Sequence, residues 1–171
     1  MQVDRPELQP EALLRALTER GVDYVVIGGI AAILHGSAQN TFDLDVCFAT
    51  DPTNLDILGQ VLVRLDARLR SVSEDVPFVP DGRMLRQVDV LTMTTNLGML
   101  DVLARPKGAP AYVKLREHAM RVTVEGMGVL IASIDDLITM KLAAGRPKDL
   151  VAVDELEAIR RLTADRRRAP T

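Results

Sequence analysis

The sequence predicts an α+β fold in which helices pack against one mixed sheet. Three observations carry this expectation. Short apolar runs rich in β-branched residues, such as Tyr24-Val25-Val26-Ile27, stop at glycines, as buried strands do. Leucines recur at helical spacing between such runs, as at Leu55, Leu58, Leu62 and Leu65. Two later pairs of strand-like segments are each joined by a short glycine-containing turn, which adds hairpins to the sheet.

Taken in order, Pro10 to Arg20 reads as a helix that places Leu13, Leu14 and Leu17 on one face, and Gly21 stops it. Tyr24 to Ile27 is a strand ended by Gly28-Gly29. Ile30 to His35 is a short apolar helix closed by Gly36, and the polar stretch Ser37 to Thr41 is a loop. Leu44 to Ala49 is a second strand. Asp51-Pro52 opens a helix expected to reach about Leu69. Ser71 to Gly82 is turn-rich and reads as irregular. Val88 to Thr92 and Met99 to Leu103 are strands that turn between Thr95 and Gly98. Pro106 to Pro110 is a loop and Ala111 to His118 a helix. Arg121 to Val124 and Val129 to Ala132 form a second hairpin, with its turn expected at Gly126-Met127-Gly128. Ser133 is a suitable N-cap, with Asp136 three residues on, for a helix reaching Ala144. Gly145-Arg146-Pro147 breaks it, and Lys148 to about Thr163 is a last helix. Residues 1–132 would form the core, and residues 133–171 a C-terminal helical segment of the same domain.

Composition narrows the function classes. The chain has 171 residues, enough to build a hydrophobic core without metal or disulfide staples. Aromatics are only 3% and Trp is absent, which argues against single-strand binding by base stacking. Cys47 is the only cysteine, so no internal disulfide and no cysteine-based zinc site can form, and its apolar setting predicts a buried, inert thiol. His35 and His118 are the only histidines, which removes a histidine-rich metal site. No GxSxG, Cys–His pairing or HExxH supports a hydrolase. The N-terminal MQVDRPELQP lacks the apolar core of a signal peptide, and no stretch is long enough to span a bilayer, so the expected compartment is the cytoplasm. A net charge of −3 does not mark a general nucleic-acid binder, although Arg160, Arg161, Arg166, Arg167 and Arg168 crowd the C-terminal end.

Asp43-Leu44-Asp45 is the most informative tripeptide. Side chains alternate along a strand, so the two carboxylates share a face while Leu44 points into the core. Adjacent carboxylates away from bulk water need a cation, and a hard cation such as Mg²⁺ takes oxygen ligands from one or two carboxylates plus substrate phosphates. Upstream, Gly28-Gly29 sits at a strand-to-helix turn, where glycine permits close approach of a ligand and the helix start presents free N–H groups to phosphate. Asp101 interrupts an apolar strand and is a third candidate ligand, or a general base; Asp89 competes with it on the same grounds.

These residues resemble a known family. Val26-Ile27-Gly28-Gly29, His35-Gly36-Ser37 and Thr41-Phe42-Asp43-Leu44-Asp45 are similar to the glycine-plus-DxD motif of the polymerase-β-like nucleotidyltransferase superfamily. Leu130 to Ile138 followed by Lys141 to Leu150 is similar to the C-terminal motif of its small AbiEii/MNT-type branch, which includes MenT-like toxins of toxin–antitoxin pairs. The resemblance implies a polymerase-β-like fold with C-terminal helices packed on the sheet. It implies transfer of a nucleotide from an NTP with two Mg²⁺ ions held by Asp43, Asp45 and Asp101, and favours Asp101 over Asp89. Gly28, Gly29 and Ser37 would line the triphosphate. Lys141 and Asp149 would support catalysis, with Arg146 and Lys148 as further phosphate contacts. His35 is expected to be structural, and Thr41 to shape the turn into the strand. The implied acceptor is the 3′ end of tRNA and the implied partner an antitoxin, with neither DNA nor membrane involved. A protein or small-molecule acceptor, such as an aminoglycoside, and a degenerate nucleotide-binding module are the alternatives. Relatives often carry a basic residue before the Thr-x-Asp-x-Asp segment; here Ser37-Ala38-Gln39-Asn40 has no charge, which puts substrate preference in question.

Overall fold

The structure, a computed structural model, describes residues 5–70 and 77–169. The chain runs α1 (Pro10–Glu19), β1 (Tyr24–Ile27), α2 (Gly28–His35), β2 (Asp43–Phe48), α3 (Pro52–Arg64), β3 (Arg68–Leu69), α4 (Gly82–Leu85), β4 (Val90–Thr95), β5 (Gly98–Leu103), α5 (Tyr112–His118), β6 (Met120–Val124), β7 (Met127–Ile131), α6 (Ile134–Ala144) and α7 (Pro147–Arg168). The strands form one mixed sheet in the order β3-β4-β5-β2-β1-β7-β6. β2 pairs with β5, and β1 with β7, in parallel; the other neighbours are antiparallel. The predicted α+β class with a mixed sheet is therefore the observed one.

The centre of the sheet is its most apolar part. All four residues of β1 are buried, and Leu44, Val46, Leu100 and Val102 have no exposed surface. They join Leu13, Leu17, Leu55, Leu62, Leu137 and Leu156 from the helices in one continuous core. Cys47 is buried there, and burial pushes its thiol up to about 12, which makes it inert as expected. Asp51 caps α3, accepting from Asn54 N at 3.0 Å, and Ser133 caps α6, accepting from Asp136 N at 3.1 Å.

Several local expectations need correction, among them the last helix, which runs to Arg168 rather than about Thr163. The helix opened by Asp51-Pro52 ends at Arg64 rather than near Leu69, because Asp66 takes a left-handed backbone (φ 48°) and the chain turns into β3. Leu65 still enters the core, so the leucine spacing outlasts the helix. The helix of Ile30 to His35 begins two residues earlier, at Gly28. β4 begins at Val90, which leaves Asp89 off the strand with its carboxylate 3.0 Å from Arg105. The last hairpin turns at Glu125-Gly126, where both residues have positive φ. Of the stretch expected to be irregular, residues 71–76 lie outside the described residues, and Gly82 opens the short α4. Among the described residues no helix is long and apolar enough to cross a membrane.

Candidate active site

Strand register assembles the acidic cluster. Asp43 and Asp45 stand on alternate positions of β2, with fully buried Leu44 between them on the other face. β5 runs parallel to β2, and its register sets Asp101 opposite Asp45. One carboxylate oxygen from each of Asp43, Asp45 and Asp101 lies within 4.8 Å of the other two. The cost of this arrangement appears in the titration of the groups. Burial, then the charges of Asp43 and Asp101, push Asp45 up to about 7, against the opposing pull of Lys141 and Arg70. Burial also raises Asp101, while Arg70 opposes the shift.

The glycine turn sits against this cluster. Ile27, the last residue of β1, is paired with Asp45, so the chain enters α2 directly beside that carboxylate. Gly28 has φ 66°, and a Cβ there would collide with Asp45 Oδ2. A Cβ on Gly29 would lie 2.7 Å from Thr41 Oγ1. Thr41 in turn donates to Asp43 O at 3.1 Å and to Asp43 Oδ1 at 3.3 Å, which fixes the entry into β2. Ile27 at the N-cap offers no side-chain cap, so among the described residues the first N–H groups of α2 remain available to a ligand. The far end of α2 is tied by His35 Nε2, 2.8 Å from Ala132 O. His35 is a brace between α2 and the end of β7.

The acidic cluster opens into a cleft of about 490 Å³. One wall is the Ser37–Phe42 loop and the other is the junction of α6 and α7, with Lys141, Arg146, Lys148 and Asp149 all lining it. Asp149 is fully buried, yet it is well supplied with donors. Its Oδ2 accepts from Arg146 Nε at 2.6 Å and Arg146 N at 3.2 Å, and its Oδ1 lies 3.5 Å from Lys141 Nζ. The Arg146 guanidinium holds the Asp149 carboxyl below its ordinary value. Asp149 therefore aims two cations at the cleft. On the opposite wall Ser37 Oγ accepts from Gln39 N at 3.2 Å, and Ala38 N donates to Glu155 Oε1 of α7 at 2.8 Å. Phe42 lines the cleft with 74% of its surface exposed.

No family model and no curated protein matches the sequence. Solved structures do match the fold. The lincosamide antibiotic adenylyltransferase LnuA, solved with lincomycin bound, superposes with a TM-score of 0.59 and 14% identity over 90% of this chain and 99% of that one. A nucleotidyltransferase-like protein from Paracoccidioides brasiliensis gives 0.55 and 18% over 89% of this chain and 73% of that one. The antibiotic-resistance factor ANT(2'')-Ia gives 0.53 and 16% over 90% and 88%. The fold is that of the nucleotidyltransferases.

Within this nucleotidyltransferase fold, the structure brings Asp43, Asp45, Asp101, Lys141, Arg146, Lys148, Asp149, Gly29 and Ser37 to one cleft, with Gly28 touching Asp45 behind it. Asp89 is elsewhere, exposed beside Arg105. Three further residues escaped the sequence reading. Arg70 contacts Asp101 and lies 3.9 Å from Asp43. Glu155 ties the two walls of the cleft together. Phe42 stands at its rim. Phe42 lies in the loop before β2, where strand alternation does not apply, so the sequence pattern carried no signal for its place at the rim. The donor set fits a hard divalent cation: three carboxylates on one face, each offering an oxygen, and space beside Asp45 that only glycine leaves open.

Proposed function

We propose that this chain is a magnesium-dependent nucleotidyltransferase that moves an NMP from an NTP to an acceptor hydroxyl. The observation that carries the reading is the Asp43–Asp45–Asp101 cluster at the foot of a cleft whose other wall supplies Lys141, Arg146 and Lys148. Carboxylates on one side and cations on the other suit a metal-bound triphosphate. Asp43, Asp45 and Asp101 would hold two Mg²⁺ ions, which supply charge against the triphosphate and lower the pKa of the attacking hydroxyl. The amides at the start of α2, at Gly28 and Gly29, and the Ser37 side of the cleft face the phosphates. Lys141 and Arg146, held by Asp149, meet the negative charge that builds on the departing group. The acceptor oxygen attacks the α-phosphorus, the bond from that phosphorus to the bridging oxygen breaks, and pyrophosphate leaves. Asp101 takes the hydroxyl proton.

For the acceptor, the AbiEii/MNT-type sequence resemblance and the arginine-rich end of α7 support the 3′ end of tRNA, in a toxin–antitoxin setting with a protein antitoxin. A second reading is favoured by the near-complete overlap with LnuA and by ANT(2'')-Ia, whose names assign them antibiotics: a small hydroxyl compound would then be the acceptor. One assay addresses both. The protein is incubated with Mg²⁺ and each labelled NTP, together with tRNA in one series and lincosamides or aminoglycosides in the other. Label is expected on one class of acceptor and is expected to vanish in Asp43→Ala. Transfer that survives in Asp43→Ala, or no transfer to either class, defeats the proposal.

A further inference from the structure

We infer that Arg70 is a built-in counter-ion of the acidic cluster that competes with divalent metal for Asp101 and Asp43. The inference rests on the metal-dependent reading above. A single guanidinium bridges two of the three candidate ligands: Nη2 hydrogen-bonds Asp101 Oδ1, and Nη1 lies 3.9 Å from Asp43 Oδ2. The same head group donates to Met99 Sδ at 3.2 Å. Side-chain exposures of 24% for Arg70, 31% for Asp43 and 14% for Asp101 separate this cluster from the fully solvated pairs that contribute little.

The position of Arg70 is set by the backbone. Arg70 N donates to Thr92 O at 3.0 Å, one step beyond the Leu69–Met93 pair. Thr92 is paired with Asp101, and Asp101 with Asp45. Thr92, Asp101 and Asp45 thus form one row across β4, β5 and β2, and Arg70, the residue just after β3, extends it. Residues in such a row share a face of the sheet, so the sheet itself delivers the guanidinium to the carboxylates.

A divalent ion needs direct bonds to carboxylate oxygens, and a guanidinium needs the same lone pairs. The guanidinium takes up lone pairs of Asp101 Oδ1 that a metal would otherwise use, and it places a positive charge against the same cluster. Metal entry must therefore overcome that competition and that repulsion, and Arg70 lowers the metal affinity that the bare cluster would have. Its role is positioning and electrostatic rather than catalytic.

The test is Mn²⁺ binding to the full chain by titration calorimetry, with no NTP or acceptor present. Two neutral variants, Arg70→Met and Arg70→Gln, are compared with the wild type, with Arg70→Lys and with Asp45→Asn. Removing the competitor is expected to tighten Mn²⁺ binding about fivefold or more, the lower end of typical coupling between ligands. Arg70→Lys, which restores the charge, is expected to lie between the wild type and the neutral variants. Either neutral variant suffices if the other does not fold. Unchanged or weaker binding in a folded neutral variant, while the wild type binds and Asp45→Asn does not, overturns this inference and leaves the metal-dependent reading standing. No binding in any of the proteins overturns that reading and the inference with it.

Discussion

Asp45 sits where burial and like charge act in the same direction. Its folded value is raised from 3.8 to about 7 because it is desolvated and faces Asp43 and Asp101. Between those two values the folded chain, free of metal, binds more protons than the unfolded chain. The stability associated with protonated Asp45 is complete below 3.8 and is lost as pH rises through about 7. The penalty at higher pH is on the order of a few kcal/mol. In chelator, the melting temperature of the wild type should therefore fall across this window relative to Asp45→Asn, which cannot titrate there. Magnesium should reverse the trend, because a cation favours the ionised carboxylate and its binding releases a proton. Parallel melting profiles for the wild type and Asp45→Asn in chelator would show that Asp45 carries no such conflict.

At the scale of elements, α3 does more than cover the sheet. Asn54, in its first turn, is 4% exposed and joins three chain segments. Its Oδ1 accepts from Asp23 N at 2.7 Å, and its Nδ2 donates to Ala49 O at 2.7 Å and to Asp23 O at 3.0 Å. Asp23 leads into β1 and Ala49 follows β2, so one amide pins the antiparallel pair that frames the acidic cluster. Asn54→Ala leaves the Asp23 N–H and the Ala49 carbonyl without these partners, while Asp23 O keeps its bond from Ala49 N at 3.1 Å. Two stranded backbone groups should cost about 2–4 kcal/mol in urea unfolding; a loss below ~1 kcal/mol would mean water replaces the amide freely. The same region shows what sequence can and cannot disclose. β1 and β2 were legible because short β-branched runs end at glycine or at a helix-opening Asp-Pro. The DxD spacing fixed one shared face for Asp43 and Asp45 before any fold was known. β3 was not legible, because Leu62, Leu65 and Leu69 continue a helical spacing while the chain has already reversed at Asp66. Arg70 was lost with it, since its relation to Asp101 exists only through the β3–β4–β5 register. Between Asp89 and Asp101 strand pattern alone did not decide and the family resemblance did, because the strand boundary one residue past Asp89 is not specified by propensity.

At the scale of the whole molecule, the cleft is a seam between chain segments far apart in sequence. Its acidic floor comes from β2 and β5, and its cationic wall from α6 and α7. Leu137, Ile138, Val153 and Leu156 anchor those two helices in the same core as the sheet. The helices are therefore held by apolar burial, and polar contacts across the cleft are left to set its width. Glu155 makes such a contact, accepting from Ala38 N at 2.8 Å, and its bonds to Ser37 and Ala38 lower its carboxyl below the ordinary value, so it stays ionised. Glu155→Ala should cost only about 1 kcal/mol of stability, as expected for hydrogen bonds exposed to water. The functional cost falls elsewhere. Without the tie, the Ser37–Asn40 loop must be ordered each time the cleft fills, and the ligand bears that ordering cost. Mg-NTP affinity, read from ligand-induced shifts in melting temperature, should weaken roughly two- to tenfold. Retained affinity with the full loss of stability would make Glu155 a fold contact alone. Weakened affinity with little loss of stability would mean that the spacing between α7 and the loop is part of the binding site.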